Sequence, residues 1–245
     1  MRIVTIAIDG PAGSGKSTLG RELSRRLGYG FLDSGLLYRL VAKSVIDAAV
    51  PLDDSVQVVM QAKSALGQVA LVPTENGHEV MVGKDRLDEL PLHDGKVSTV
   101  VPHVARVTEV RDQVKRVQNA VRRAGPAILA GRDIGTVVAP DAELKLYLDV
   151  SLQERVARRR WAVRESVDPQ QASQIADAIR LRDALDKDRK QSPLRIADDA
   201  VVVRTDKWSV DEAVDEIVLM CGLGDVDNFA PPAHVARTAG HFEAS

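Results

Sequence analysis

The nine residues from Gly10 to Thr18, which read GPAGSGKST, constrain this chain more than any other segment. They contain the pattern G-x-x-x-x-G-K-[ST]. A short β-branched run at 3–8 precedes them, and apolar residues at helical spacing (Leu19, Leu23, Leu27) follow them. Strand, glycine-rich loop and helix form the context in which this pattern binds phosphate. Because glycines let backbone N–H groups turn inward around an anion, the segment predicts a site for a nucleoside triphosphate.

The residue types within the loop predict which atoms contact the nucleotide. Lys16 is expected to reach the β- and γ-phosphates and to act in catalysis. The Ser17 hydroxyl is expected to bind Mg²⁺, the predicted cofactor, together with oxygens of ATP. The candidate ATP-binding residues of the loop are Gly10, Pro11, Ala12, Gly13, Ser14, Gly15, Lys16, Ser17 and Thr18.

Composition limits the classes of partner. The formal net charge of −2 gives no general attraction to nucleic acid or to an acidic membrane surface. The single cysteine, Cys221, excludes an internal disulfide, and the five histidines show no metal-ligand spacing. No apolar run reaches transmembrane length, and the N-terminus lacks a signal-peptide pattern. We therefore expect a cytoplasmic monomer that binds small molecules, with neither nucleic acid nor membrane as a partner.

Short strand-like runs alternate with helical segments along most of the chain. This alternation predicts an α/β fold, with a parallel sheet covered by helices on both faces. Two capping boxes, Ser151 with Glu154 and Ser209 with Glu212, mark the starts of helices. After the first strand, the strand candidates are 30–33, 127–130, 144–150 and 200–203.

One region departs from this alternation. Residues 68–73 and 78–83 read as a β-hairpin joined by Glu75-Asn76-Gly77, so we expect an inserted subdomain at about residues 40–110. Residues 97–123 read as helix, which Pro102 must kink or divide. The folded domain is expected to span residues 1–221, and residues 222–245, which lose periodicity, are expected to form a disordered tail.

Charged residues follow several predicted strands, where ligands of open α/β sheets bind. Asp33-Ser34-Gly35 precedes Tyr38-Arg39, although a helix cap and a surface arginine explain the same pattern. Arg132-Asp133 is flanked by glycines, which suits close approach of a phosphate. Arg182, Asp186 and Arg189 share one helix face, either as ligand-binding residues or as a salt-bridged solvent face. A denser cluster, suited to a lid over triphosphate, contains Arg155, Arg158, Arg159 and Arg160.

These stretches together resemble the bacterial cytidylate kinase family, and the match reaches about residue 221. GPAGSGKST is followed in the family's order and spacing by DSGLLYR at 33–39, GRDIGTVV at 131–138 and PDA at 140–142. RDALDKDR at 182–189, followed by Ser192-Pro193-Leu194, completes the match. The chain departs from the family at Pro102, where a serine is usual, and in the segment 88–94, which has no arginine.

The resemblance implies a P-loop NTPase fold of the nucleoside monophosphate kinase type, with an inserted NMP-binding subdomain and a helical lid at about 155–190. It implies that the γ-phosphoryl group of ATP passes to CMP or dCMP. The implied acceptor residues are Arg39, Arg132 and Arg189 for the α-phosphate, Asp133 and Arg111 for the cytosine edge, Arg182 and Asp186 for the ribose, and Ser34 and Tyr38 to complete the pocket. Arg158 resembles the lid arginine that closes on ATP, and Arg132, Arg158 and Arg189 join Lys16 as implied catalytic residues.

Two other functions remain open from the sequence. One is a P-loop kinase for another small acceptor, and the other is a nucleotide-dependent switch or ATPase without an acceptor. Arginines directed at a second phosphate argue against the switch, because a switch has no second phosphate group to hold. The carboxylate that orients the Mg²⁺ waters is either Asp33 or Asp133.

Overall fold

The structure, a computed structural model, describes residues 5–74, 77–163, 169–206, 208–221 and 235–237 of the 245-residue chain. The chain divides into two compact units. The first contains residues 1–23 and 131–245, and the second contains residues 24–130. No helix in the described ranges is long and apolar enough to cross a membrane.

Strands and helices follow one another as the sequence predicts. The strands are β1 (Thr5–Asp9), β2 (Gly30–Asp33), β3 (Val69–Thr74), β4 (Gly77–Val82), β5 (Asp85–Arg86), β6 (Ala127–Gly131), β7 (Leu144–Asp149), β8 (Val201–Arg204) and β9 (Val235–Arg237). The helices are α1 (Lys16–Leu27), α2 (Ser34–Asp47), α3 (Ser55–Gly67), α4 (Gly95–Val104), α5 (Thr108–Ala124), α6 (Leu152–Val163), α7 (Pro169–Lys187) and α8 (Val210–Met220). Short helical turns lie at Leu87–Glu89 and Ile134–Val138.

The first unit is built on parallel strands. β1 pairs with β7 and β7 pairs with β8, so that Ile8 lies opposite Leu146 and Leu146 opposite Val201. All five residues of β1 are buried, as are the first five of β7. Near-continuous apolar strands of this kind are typical of parallel sheets covered on both faces. The predicted α/β class is confirmed.

Of the two predicted capping boxes, one is confirmed. At the start of α8, the Ser209 hydroxyl accepts from the Glu212 N–H and the Glu212 carboxylate accepts from the Ser209 N–H. At the start of α6, Ser151 accepts from the Glu154 N–H at 3.3 Å, but the Ser151 N–H donates to Asp206. The Glu154 carboxylate instead accepts from Arg158 one turn along the helix. An ion pair therefore replaces the second half of the predicted box.

The predicted disordered tail lies outside the described residues, except for Val235–Arg237. These three residues form β9, which pairs antiparallel with the edge of β8. For them the structure differs from the prediction. An edge strand offers unpaired N–H and C=O groups, so even a short segment without an apolar period gains backbone hydrogen bonds by pairing there.

The second unit combines a parallel strand pair with an antiparallel sheet. β2 pairs with β6 in parallel, and β3, β4 and β5 form a meander in which Pro73 lies opposite His78. The predicted hairpin is therefore confirmed, although its turn residues Glu75 and Asn76 lie outside the described residues. The inserted subdomain predicted at about residues 40–110 falls entirely within this unit.

The helix caps of the second unit follow the sequence, but the break near Pro102 does not. Asp33 caps α2 by accepting from a backbone N–H group, as predicted, and Asp54 caps α3 in the same way. Pro102 lies inside α4, and the chain divides instead between Val104 and Thr108. Proline removes one hydrogen bond near the end of a short helix, which α4 tolerates for its last two residues. The division that the sequence placed at Pro102 occurs three residues later.

A buried histidine packs directly on a glycine in this unit. His78 on β4 is buried, and burial lowers the pKa of its imidazole. A Cβ atom added to Gly30 on β2 would lie 2.2–2.5 Å from the His78 ring. Glycine is needed here for space, because the ring occupies the volume that any side chain at position 30 would fill.

We predict that Gly30→Ala lowers the melting temperature by about 3–10 °C, because overpacking costs about 1–3 kcal/mol and each kcal/mol shifts Tm by about 2–4 °C in a chain of this size. Thermal unfolding measures the shift. The matched control is Gly95→Ala, since a Cβ there meets no atom within 4 Å. In a His78→Ala background, Gly30→Ala should cost little. Equal effects of Gly30→Ala and Gly95→Ala would contradict the packing.

Candidate active site

The glycine-rich loop joins β1 to α1 in the first unit. Gly13 and Gly15 have φ angles of +75° and +91°, a backbone region that side chains disfavour. The Leu19 N–H donates to the Gly15 carbonyl at 2.9 Å, which starts the helix at the end of the loop. The N-terminus of α1 therefore follows a loop whose backbone curves, which is the geometry of an anion site.

Lys16, the first residue of α1, is folded over the loop. Its Nζ donates to the carbonyl of Gly10 at 2.9 Å, the carbonyl of Pro11 at 2.7 Å and the hydroxyl of Ser14 at 3.0 Å. The residue is 8% exposed. A lysine ammonium has three donors, and here all three are directed at the loop itself. The Lys16 ammonium group, which is expected to contact the phosphates, thus lies within the loop.

The predicted Mg²⁺ ligand, Ser17, lies in the first turn of α1. No group of three or more His, Cys, Asp or Glu side chains within the described ranges is arranged to hold a metal ion. A protein that binds Mg²⁺ through a hydroxyl and substrate phosphates does not need such a group, because this ion keeps several waters. The donor set therefore fits an ion that arrives with the nucleotide.

Arg158 on α6 contacts the loop, as expected of a lid arginine. Its Nη1 donates to the carbonyl of Ser14 at 3.1 Å, and its Nη2 donates to the carbonyl of Thr205 at 2.6 Å. Its Nε donates to Glu154 at 2.8 Å. The guanidinium is thus oriented on three sides, and a Cβ on Gly15 would lie 3.2 Å from its Nη1.

A second pair of side chains on the loop was not predicted as functional. Asp183 on α7 accepts from the Ala12 N–H at 3.0 Å, and Arg155 on α6 donates to the Ala12 carbonyl at 3.0 Å. Arg155 and Asp183 also form an ion pair with each other. The sequence showed Arg155 only as one member of an arginine cluster. Asp183 carried no signal, because its partners lie 28 and 171 residues away in the chain.

Three of the predicted acceptor arginines meet on one carboxylate. Asp186 is 1% exposed, and its Oδ2 accepts from Arg132 Nε at 2.8 Å and lies 3.4 Å from Arg182 Nε. Its Oδ1 pairs with Arg189. Burial raises the pKa of Asp186, but Arg132, Arg182 and Arg189 outweigh burial and hold this pKa below its ordinary value. The predicted common face of Arg182, Asp186 and Arg189 is a cluster of partly exposed arginines around one buried carboxylate, not a fully solvated salt-bridge face.

Two buried aspartates lie beside the first residues of the Ile134–Val138 turn. Asp133, predicted to read the base, is 6% exposed. Asp9, the last residue of β1, is 4% exposed and accepts from the N–H groups of Ile134 at 2.9 Å and Gly135 at 2.7 Å. Burial raises the pKa of Asp9 to about 6, the two backbone hydrogen bonds lower it, and the charge of Asp133 adds to the rise. Sequence reasoning assigned no role to Asp9.

The second unit carries the remaining predicted residues, on the facing sides of α2 and α5. Arg111, 9% exposed, lies over the ring of Tyr38 with its guanidinium carbon 5.7 Å from the ring centre. Ser34 accepts from Gln118 Nε2 at 2.8 Å. Ser34 and Tyr38 are one turn apart on α2, and Arg111 and Gln118 are two turns apart on α5. The i, i+7 spacing of Arg111 and Gln118 was available in the sequence, but Gln118 was missed.

Arg39, predicted to bind phosphate, also has defined partners in this unit. Its Nη1 donates to the Leu92 carbonyl and to the Ser98 hydroxyl, both at 3.0 Å. Ser98 is thereby linked to a predicted acceptor residue, although Pro102 stands where the family usually has its serine. Asp33, one of the two Mg²⁺-orienting candidates, accepts from the Gly35 N–H as the cap of α2.

A glycine-rich loop after a buried parallel strand, with a lysine and a hydroxyl at the helix start, defines a P-loop nucleotide-binding protein. The arginine cluster around the buried Asp186 in the same unit is typical of one that transfers phosphoryl groups, so the class is a P-loop kinase. A model of the family "Cytidylate kinase" matches residues 6–221. The chain belongs to the cytidylate kinase family.

Curated relatives support this assignment along most of the chain. A cytidylate kinase of Exiguobacterium sp. is 35% identical over 212 residues, which cover 86% of this chain and 93% of the relative. A cytidylate kinase of Geobacillus kaustophilus is 34% identical over 217 residues, covering 89% and 96%. Among solved structures, a shikimate kinase from Bacteroides thetaiotaomicron covers 90% of this chain and 99% of its own, with 12% identity and a TM-score of 0.43.

The raised pKa of Asp9 gives a test of the site's electrostatics. The folded-state pKa of about 6 exceeds the ordinary value of 3.8, so the folded state binds more protons between these pH values. As pH falls from 7 to 4, the wild type should therefore gain stability relative to Asp9→Asn, by about 2 kcal/mol in the free energy of unfolding. Urea unfolding of both proteins across this range measures the difference. A difference that stays constant with pH would show that Asp9 titrates normally.

Proposed function

We propose that this protein transfers the γ-phosphoryl group of ATP to CMP or dCMP, giving ADP and CDP or dCDP, with Mg²⁺ as cofactor. The observation that carries the proposal is the cluster of Arg132, Arg182 and Arg189 on the buried carboxylate of Asp186, in the same unit as the phosphate loop. The relatives named cytidylate kinase favour CMP over other small acceptors.

On the donor side, the loop's N–H groups and Lys16 hold the triphosphate. The Ser17 hydroxyl would hold Mg²⁺ together with phosphate oxygens, and the ion would supply charge neutralisation at the transferred group. Lys16 exchanges its contacts with Gly10, Pro11 and Ser14 for contacts with phosphate oxygens. Arg158 already contacts the carbonyl of Ser14 in the loop, so it needs little movement to contact the nucleotide.

On the acceptor side, each chemical part of CMP has its own residues. Arg132 and Arg189, with Arg39, hold the phosphate, since guanidinium forks match phosphate oxygens. Asp133 accepts from the exocyclic amine of cytosine, and Arg111 donates to its ring acceptors. The ribose hydroxyls contact Arg182 and Asp186, and Ser34 and Tyr38 complete the pocket.

The reaction needs alignment more than acid–base chemistry. The phosphate of CMP is already ionised near neutral pH, so no general base has to remove a proton from it. The residues contribute by bringing the acceptor oxygen in line with the γ-phosphorus and by neutralising charge. Closure of the inserted subdomain and of the lid would exclude water, which otherwise competes as the acceptor.

A P-loop kinase for a different acceptor is the nearest alternative, and a switch without an acceptor is less well supported. A switch requires no second phosphate site, whereas three partly exposed arginines around the buried Asp186 are suited to hold one. A screen of ATP consumption against CMP, dCMP, UMP, AMP, GMP and shikimate tests the proposal. We expect turnover with CMP and dCMP. The absence of turnover with every acceptor would overturn the proposal.

A monomeric state and a cytoplasmic location stay predictions.

We predict that Lys16→Ala reduces turnover at least about a hundredfold, because the transferred phosphoryl group loses a preorganised charge partner. Steady-state kinetics with ATP and CMP measure the loss. Lys63→Ala, at an exposed position of α3, is the matched control and should behave like the wild type. Near-normal turnover in a folded Lys16→Ala protein would contradict the loop's assignment as the phosphate site.

We also predict that UMP is a poorer acceptor than CMP, because uracil presents a carbonyl to the Asp133 carboxylate where cytosine presents an amine. A site with a buried polar partner rejects the wrong edge strongly. The measurement is the ratio of kcat/KM for CMP to that for UMP, in the wild type and in Asp133→Asn. The substitution should lower this ratio, since an amide can donate to the uracil carbonyl. Equal efficiencies with both substrates in the wild type would overturn the assignment.

A further inference from the structure

Asp9 is a buried carboxylate whose contacts are all directed at one loop backbone. It ends β1, immediately before the phosphate loop, and each of its oxygens accepts one backbone N–H, from Ile134 at 2.9 Å and from Gly135 at 2.7 Å. Both oxygens are therefore used, and the residue is 4% exposed. Burying an ionisable group is unfavourable unless hydrogen bonds compensate for it, so this two-point contact is what stabilises the carboxylate there.

The two N–H groups belong to the first residues of the helical turn Ile134–Val138. The residue in the capping position is Asp133, and its side chain makes no capping hydrogen bond to this turn. The first N–H groups of a helical turn need an acceptor, and an acidic side chain there is favourable. Asp9 supplies that acceptor from a distant part of the chain. The side chain of Asp133 is thereby not needed as the cap.

The contact also explains the glycine in the turn. A Cβ atom on Gly135 would lie 3.4 Å from Asp9 Oδ2 and 3.2 Å from the Cδ of Lys145. Lys145 is itself held by the Pro140 carbonyl at 2.6 Å and by Asp199 at 2.7 Å. The turn is thus packed between the Asp9 carboxylate and the stem of a fixed lysine, so its backbone has little room to shift.

We propose that Asp9 is a positioning residue for the acceptor nucleotide: it caps the Ile134–Val138 turn and so fixes Arg132 and Asp133, which immediately precede the turn. The inference rests on the proposed function, in which Arg132 holds the acceptor phosphate and Asp133 reads the base. Asp9 itself touches neither substrate. Its loss releases one end of the segment that carries both acceptor residues.

The test compares wild type, Asp9→Asn and Asp211→Asn. Asparagine keeps the shape of Asp9 but places an NH₂ group against one of the two N–H donors. Asp211→Asn is the matched control, because it makes the same change at an exposed position in the first turn of α8. Calorimetry gives Kd for CMP and for a non-hydrolysable ATP analogue. We expect Asp9→Asn to weaken CMP binding at least tenfold and the ATP analogue less than threefold, with both unchanged in Asp211→Asn.

Hydrogen exchange supplies an independent readout of the same contact. The amides of Ile134 and Gly135 should be protected in the wild type and should exchange at least tenfold faster in Asp9→Asn. If Asp9→Asn does not fold, Gly135→Ala decides the question. Its Cβ would lie 3.4 Å from Asp9 Oδ2 and 3.2 Å from the Cδ of Lys145. Because this contact disturbs the same turn, we expect the same selective loss of CMP binding.

The possible outcomes separate this inference from the proposed function. Failure of the wild type to bind CMP overturns both. Normal CMP binding by the wild type and by Asp9→Asn overturns the inference and leaves the function standing. Equal weakening of CMP and the ATP analogue also overturns it, since Asp9 then acts through the neighbouring phosphate loop and not through Arg132 and Asp133.

Discussion

The Asp186 carboxylate is the group on which the proposed acceptor chemistry depends. Three guanidinium groups, those of Arg132, Arg182 and Arg189, are directed at one buried side chain, and they would repel one another without a negative charge between them. Removal of one member of a buried ion network costs far more than a surface pair contributes, because the remaining charges stay desolvated. Asp186 thus holds a local excess of positive charge in place before a phosphate arrives. Such preorganisation is what an enzyme needs if it is to neutralise an acceptor phosphate without rearrangement.

The phosphate loop is similarly held by the protein's own charges. Lys16 contacts the loop from within, and Arg158 and the Arg155–Asp183 pair contact it from α6 and α7. Asp183 lies one turn before Asp186 on α7, so a single helix contacts the Ala12 N–H of the loop and also carries the centre of the arginine cluster. The same helix falls within the segment expected to act as a lid.

Local signals in the sequence predicted the fold well. Strand periodicity, the caps at Asp33 and Ser209, and the strand–loop–helix order around the loop motif each depend on neighbours a few residues away, and the structure confirms them. Contacts over long sequence separations were not predictable in this way. Asp9 contacts residues 125 and 126 positions away, and Asp183 contacts one 171 positions away. Glu154 shows a competing local interaction: its pairing with Arg158 displaced the predicted cap. The resemblance to cytidylate kinases located most of the candidate site residues, but not Gln118 or Ser98, whose partners became visible only in the folded chain.

In the proposed function, the carboxylate of Asp186 organises the arginines for the acceptor phosphate. The most direct measurement is kcat/KM with CMP and with dCMP for Asp186→Ala, beside Asp188→Ala at an exposed position two residues later. We expect Asp186→Ala to lower both efficiencies at least about tenfold, which corresponds to about 1.4 kcal/mol in transition-state stabilisation. An additional loss with CMP alone would report a contact to the 2′-hydroxyl. Asp188→Ala should match the wild type. A folded Asp186→Ala protein with undiminished efficiency on both substrates would contradict this role of Asp186.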